Sequence, residues 1–251
     1  MNRFAFRIFG IDIAWYGIIM TFAIAFATYL TMRIATKRGY SKDDILDLAL
    51  WVIPFAIVGA RLYYVAFQWE HYASNPISVL YIRQGGMAIH GGIFGGLLGG
   101  FIHCKRKGLN FADLADMVCM PLILAQSIGR WGNFTNGEAH GGPTSLPWAI
   151  EVGGEMVHPT FLYESLWNLL CFIVLVLAFQ KRKYYGTHFM YYLMMYSVGR
   201  FFIEGLRTDS LMFFGLRAAQ MVSVALILLA IVSIYIIRKN PENRIVDRSI
   251  K

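Results

Sequence analysis

The chain has 251 residues, of which 57% are hydrophobic and only 15% are Asp, Glu, Lys or Arg. With a mean hydropathy of +0.51, this excludes a single water-soluble domain, where about a quarter of residues carry charge; at about 20 apolar residues per membrane-crossing helix, it leaves space for about seven spans and no second domain. A net charge of +8 on a soluble chain would suggest nucleic acid, but here its distribution answers to topology and no nucleic-acid partner is expected.

Long runs with few charges predict helices at Ala14–Met32, Asp47–Trp69, Gly86–Cys104, Ala112–Gly129, Thr160–Gln180, Gly186–Glu204 and Phe213–Ile237. A segment in lipid must satisfy its backbone internally, as a helix or a closed barrel, and these runs lack strand alternation. The expected fold is an all-α bundle of about seven transmembrane helices, one domain over 1–251, with outer-side segments near 70–85 and 130–159. Fifteen Lys and Arg fall at 33–42, 105–107, 181–183 and beyond 237, against six at Arg3, Arg7, Arg83, Arg130, Arg207 and Arg217. The positive-inside rule then puts the N-terminus outside and the C-terminus in the cytoplasm. A cleaved signal in residues 1–27 is the rival reading, since Arg3 and Arg7 precede an apolar run with alanines at 23, 25 and 27. It is disfavoured because the run continues to Met32 and meets the basic cluster Arg33–Lys42. Cys104, Cys119 and Cys171 sit in or beside apolar segments without paired or zinc-type spacing, so they read as small buried hydrophobes and no metal is expected.

Polar residues at membrane depth are costly and usually functional. Counting about 1.5 Å of rise per residue, Tyr16, Arg61, His90, Arg130, His158, Tyr163, Glu164, Arg200 and Glu204 all fall in the outer leaflet. Each alone could snorkel or form a structural pair, as Arg200 and Glu204 could at i, i+4; together they suggest one polar cavity opening outward. Two stretches sharpen this. In Gly85–Gly100 the glycines at 91, 95 and 99 form one helical stripe and those at 92, 96 and 100 another, a pattern that lets helices approach closely; His90 lies at its mouth. In Gly129–Glu138, Arg130, Asn133, Asn136 and Glu138 gather among glycines that permit tight turns. Arg offers a planar fork to phosphate and Asn both donates and accepts.

The stretch GRWGNFTNGEAHG, Gly129 to Gly141, resembles the signature of the bacterial phosphatidylglycerol:prolipoprotein diacylglyceryl transferases. Further matches follow in family order: Trp15-Tyr16-Gly17, GGMAIHGG around His90, HPTFLYES from His158, and GRFFIEGLRTD from Gly199 to Asp209. Thr135 stands where the family is often apolar and His140 where it is often aromatic. The resemblance implies seven spans and no cofactor. It also implies transfer of the diacylglyceryl group of phosphatidylglycerol to the lipobox cysteine of a prolipoprotein, at the outer face of the bacterial cell membrane, with glycerol-1-phosphate released. By the same resemblance Arg130 and Arg200 clamp the phosphate, with Arg207 a third cation, Asn133, Asn136, Glu138 and Tyr196 bind the lipid, and Tyr16 is linked to function. His90 is the first candidate for general base because imidazole titrates near the working pH, with Glu204 and Glu138 as alternatives. The rivals are an anion transporter, for which the inner helix halves carry too few charges, an intramembrane protease, for which no Ser/His or paired-aspartate set exists at matching depth, and a lipid phosphatase.

Overall fold

The computed structural model describes residues 3–82, 85–208, 210–213 and 215–245; Arg83, Asp209, Arg248 and Lys251, which enter the patterns above, lie outside them. The described helices are, in order, α1 (Trp15–Thr36), α2 (Lys42–Phe67), the five-residue α3 (Trp69–Ala73), α4 (Ile89–Lys107), α5 (Phe111–Asn136), α6 (Thr160–Phe179), α7 (Thr187–Glu204) and α8 (Ala218–Lys239). Five of them, α1, α2, α5, α6 and α8, are long and apolar enough to cross a membrane. The other two long helices are more dilute in apolar residues, α4 through its glycines and α7 through His188, Arg200 and Glu204.

Three two-stranded antiparallel hairpins, absent from the sequence expectation, join these helices. They are β1 (Phe4–Ile8) with β2 (Ile11–Ala14), β3 (Ile150–Val152) with β4 (Glu155–Val157), and β5 (Met212–Phe213) with β6 (Leu216–Arg217). The first two turn through pairs of positive-φ residues, Phe9-Gly10 and Gly153-Gly154, which matches the right-handed twist of their strands. The third displaces the start of the last helix from the expected Phe213 to Ala218.

Contacts divide the chain into two compact units, Met32–Leu114 and the remainder, with α1 and α5 running through the division. In the Met32–Leu114 unit, Ser41 and Asp44 form a reciprocal capping box that starts α2. Helices α2 and α4 pack through glycine. A Cβ on Gly91 would strike the Gly59 carbonyl, one on Gly95 the Phe55 carbonyl, and one on Gly99 would lie 2.8 Å from the Trp51 carbonyl. The neighbouring stripe, Gly92, Gly96 and Gly100, has ordinary spacing of 3.4 Å or more. Only the first stripe therefore demands glycine.

In the other unit, α5, α6 and α7 are tied by buried polar groups. Ser127 and Ser165 each donate to the other's carbonyl, at 2.7 and 3.0 Å. Asp116, fully buried on α5, accepts from the Gly186 and Phe189 amides at 2.8 Å and pairs with Arg182 at 3.0 Å. It thereby satisfies the amides that open α7, where a carboxylate is favoured by the helix dipole. A Cβ on Gly199 would collide with the Trp167 indole, which donates to the Met195 carbonyl at 2.9 Å. This close seat sets α6 against α7 at the height of Arg200.

Candidate active site

The centre of the site is Glu164, in the first turns of α6 and only 4% exposed in its side chain. Arg130 from α5 pairs with one of its oxygens. Arg200 from α7 and Arg207, just past the end of α7, meet the other at 3.0 and 3.4 Å. Arg200 also lies 2.8 Å from Glu204, one turn further along α7; that approach is an ion contact off the N–H axis, since Glu204 Oε2 has no aligned donor. The two carboxylate side chains are buried, whereas those of Arg130 and Arg200 are 20 and 21% exposed. A guanidinium carries five N–H donors in a fixed plane, and Glu164 engages Arg130 through one nitrogen. Solvent therefore reaches oriented cations whose counter-charges are hidden behind them.

Backbone stitching holds this arrangement. The Gly141 amide donates to the His158 carbonyl at 2.8 Å and the Gly142 amide to the Leu206 carbonyl at 3.0 Å. A Cβ on Gly141 would come within 2.7 Å of the Leu206 carbonyl and 2.8 Å of His158 Cβ. The segment after α5 is thus pressed against the start of α6 and the end of α7, where Glu164 and Arg207 sit. Arg217 reinforces the α7 end by donating to the carbonyls of Glu204 and Arg207 and to Ser210 Oγ.

The amide set is arranged differently from the sequence expectation. Helix α5 continues to Asn136 rather than ending at Gly129, so Arg130 and Asn133 are helical, and the turn comes only at Gly137, with φ of 71°. Gly132 is there for contact: a Cβ would come 2.9 Å from the Tyr16 ring. Asn136 and Asn133 donate to Glu138 at 3.1 and 3.5 Å, while the Asn136 Oδ1 is buried without a partner. Tyr196 lies against Tyr192, ring centroids 6.2 Å apart, and Gln126 donates to the Tyr192 hydroxyl at 2.9 Å.

His90 belongs to the Met32–Leu114 unit. It is the second residue of α4, is exposed, and its ring lies 6.1 Å from that of Tyr63. Arg61, expected in the polar cavity, is instead occupied by backbone: its guanidinium donates to the carbonyls of Ser78, Val79, Gly85 and Gly86 at 2.7 to 3.0 Å and lies over Tyr72. It shapes the segment that leads into His90. Among the described residues, no three His, Cys, Asp or Glu side chains group as a metal site would need.

The sequence profile of prolipoprotein diacylglyceryl transferases matches residues 3–236. A phosphatidylglycerol–prolipoprotein diacylglyceryl transferase of Clostridioides difficile (strain 630) is 50% identical over 244 residues, 97% of this chain and 98% of its own length. Enzymes of the same name from Finegoldia magna and Enterococcus faecalis are 47 and 45% identical, covering 92 and 99% of this chain and 94 and 95% of their own. The chain belongs to the prolipoprotein diacylglyceryl transferase family. It is a transferase, and the family together with its five long apolar helices makes it a multi-pass membrane protein.

The ion cluster brings together Arg130, Arg200, Glu204 and Arg207 through a residue the sequence had placed near them without a role. Glu164 stood out only as a carboxylate at membrane depth, one residue after Tyr163. Nothing in the spacing showed that three arginines from distant stretches would share it. Arg217 gave no signal beyond a loop charge.

Proposed function

We propose that this chain transfers the diacylglyceryl group of phosphatidylglycerol to the lipobox cysteine thiol of a prolipoprotein, as a single membrane-embedded domain of seven spans. The N-terminus lies outside, the C-terminus in the cytoplasm and the site towards the outer leaflet of the bacterial cell membrane. The observation that carries the reading is the Glu164 cluster: oriented, partly exposed guanidiniums over buried carboxylates suit a phosphate ester.

In the reaction the bond between the glyceryl carbon and the phosphate oxygen breaks, sulfur bonds that carbon as a thioether, and glycerol-1-phosphate departs. The leaving phosphate gains negative charge, so cations fixed in place before the reaction stabilise the transition state more than the ground state. Arg130 and Arg200 fill this role with Arg207 beside them; Glu164 and Glu204 keep the guanidiniums from reorienting. The unpaired Asn136 Oδ1 accepts from a lipid hydroxyl, with Asn133 and Glu138 holding that amide, and Tyr16 and Tyr196 supply hydroxyls for the head group. His90 takes the thiol proton, since sulfur reacts as thiolate and an ordinary thiol titrates near 8.5.

The test uses purified protein, phosphatidylglycerol and a lipobox peptide. A diacylglyceryl mass gain on the peptide, absent from its Cys→Ser version, is expected. Phosphate release independent of peptide would replace the reading with a lipid phosphatase, and no lipid turnover would reject both.

A further inference from the structure

A guanidinium on an apolar helix needs acceptors for its N–H groups, and Arg61, only 6% exposed on α2, finds four in the connection that leads into α4. Its Nε and Nη2 donate to the Val79 and Ser78 carbonyls at 2.7 and 2.8 Å, and its Nη1 to those of Gly85 and Gly86 at 2.8 and 3.0 Å. One side chain thus fastens two stretches, the 3-10 turn Pro76–Leu80 and the glycine pair before α4. Both glycines have positive φ, 91° and 76°, and a Cβ on Gly86 would strike Arg61 Nη1 and come 2.9 Å from the Tyr64 ring. Two residues on, the Ala88 amide donates to the Ala60 carbonyl at 3.0 Å, and α4 starts without a side-chain cap. Its first turn is therefore located by α2 on both sides, by Arg61 and Ala60 before it and by the close Gly59–Gly91 contact after it. His90 lies between the two. Among the described residues its imidazole has no hydrogen bond, so the place of the ring follows from a backbone that α2 fixes. All of these residues belong to the Met32–Leu114 unit.

The geometry points to Arg61 as a positioning residue for the transfer: it holds the backbone at the start of α4 where His90 can meet the acceptor thiol. The inference rests on the base role given to His90. A general base works only within hydrogen-bond reach of the proton it takes, and a displacement of about 1 Å can cost about 100-fold in rate. The task needs an extended fork, because the two fastened stretches use different nitrogens of the guanidinium. A lysine ammonium keeps the charge but gathers its three donors at one point, so it does not hold both stretches.

Arg61→Lys and Gly86→Ala loosen the same contact from its two ends, and melting curves in detergent show which variants remain folded. At about pH 7 each folded variant is expected to lower kcat about ten-fold or more, with the KM for phosphatidylglycerol within about two-fold, because the phosphate is assigned to arginines of the other unit. At about pH 9.5 an ordinary thiol, with a pKa near 8.5, is mostly thiolate already, and the need for a base disappears. Measured against wild type at the same pH, the defect should there shrink below about two-fold, in step with that of His90→Gln. A brace that only supports the fold would leave a defect independent of pH. The inference is overturned by a constant defect in the folded variants while His90→Gln recovers, by normal kcat in both variants at the lower pH, or by loss of folding in both. If His90→Gln is itself unimpaired at the lower pH, or equally impaired at both, the base reading falls and the positioning role with it.

Discussion

Glu164 gathers two guanidiniums from helices α5 and α7 and a third from beyond the end of α7, so its charge does more than any single arginine to define the site. Glu164→Gln would leave three cations facing one another around a buried amide. Breaking a buried ion pair from one side costs about 3–5 kcal/mol, so this variant should melt earlier in detergent and lose at least about 100-fold in transfer, the scale on which one oriented transition-state contact acts. Full activity would remove the cluster from the mechanism. Arg200 spans Glu164 and Glu204 with two different nitrogens, a geometry that an ammonium on a flexible stem does not reproduce. Arg200→Lys should therefore fall by a comparable factor, as should Arg130→Lys; near-normal turnover in both would show that charge alone suffices. His90 is separable from these: His90→Gln keeps a polar side chain and loses the titratable ring, so transfer should drop throughout about pH 6 to 8. Retained activity over that range would pass the base role to a glutamate.

Helix α4 shows how an element can be legible in type while its demands are not. Two glycine stripes look equivalent in the sequence, but α2 presents carbonyls and aromatic side chains to one and aliphatic side-chain surfaces to the other. Gly95→Ala would set a methyl on the Phe55 carbonyl and should destabilise the protein by about 1–3 kcal/mol, seen as a lower melting temperature. Gly92→Ala, whose new methyl would meet Ala56 and Ala60 at 3.6 Å, should melt like the wild type. Equal effects would mean that helix propensity, not packing, governs the pair. The same difficulty explains α5: Gly129, Gly132 and Gly137 look alike as turn signals, yet only Gly137 has positive φ, and Gly132 makes room for Tyr16. A glycine's neighbour across a helix pair is invisible in one sequence. The hairpins were hidden for another reason, since strands of two to five residues rich in aromatics and aliphatics merge with adjoining membrane runs.

At the scale of the molecule, composition identified a membrane helical protein because bulk hydropathy needs no contact information, and depth counting found Arg130, Arg200 and Glu204 because charge in lipid is conspicuous. It misassigned Arg61, whose four backbone acceptors lie in a loop that no periodicity describes. The crossing of α4 and α7, neither of which is among the five strongly apolar helices, decides between five and seven spans, and with it the proposed orientation. Single cysteines can read it, because the three native thiols are buried. Exposed Ser74 precedes α4 and exposed Lys105 lies in its last turn, while exposed Lys181 and Leu211 flank α7. With seven spans and the basic loops inside, Ser74→Cys and Leu211→Cys should react with a membrane-impermeant maleimide in intact cells, and Lys105→Cys and Lys181→Cys only after permeabilisation. If either pair labels from one side alone, its helix does not cross. If both pairs label with sides exchanged, the arginine cluster would face the cytoplasm, away from an exported thiol, and the transfer reaction could not take place there.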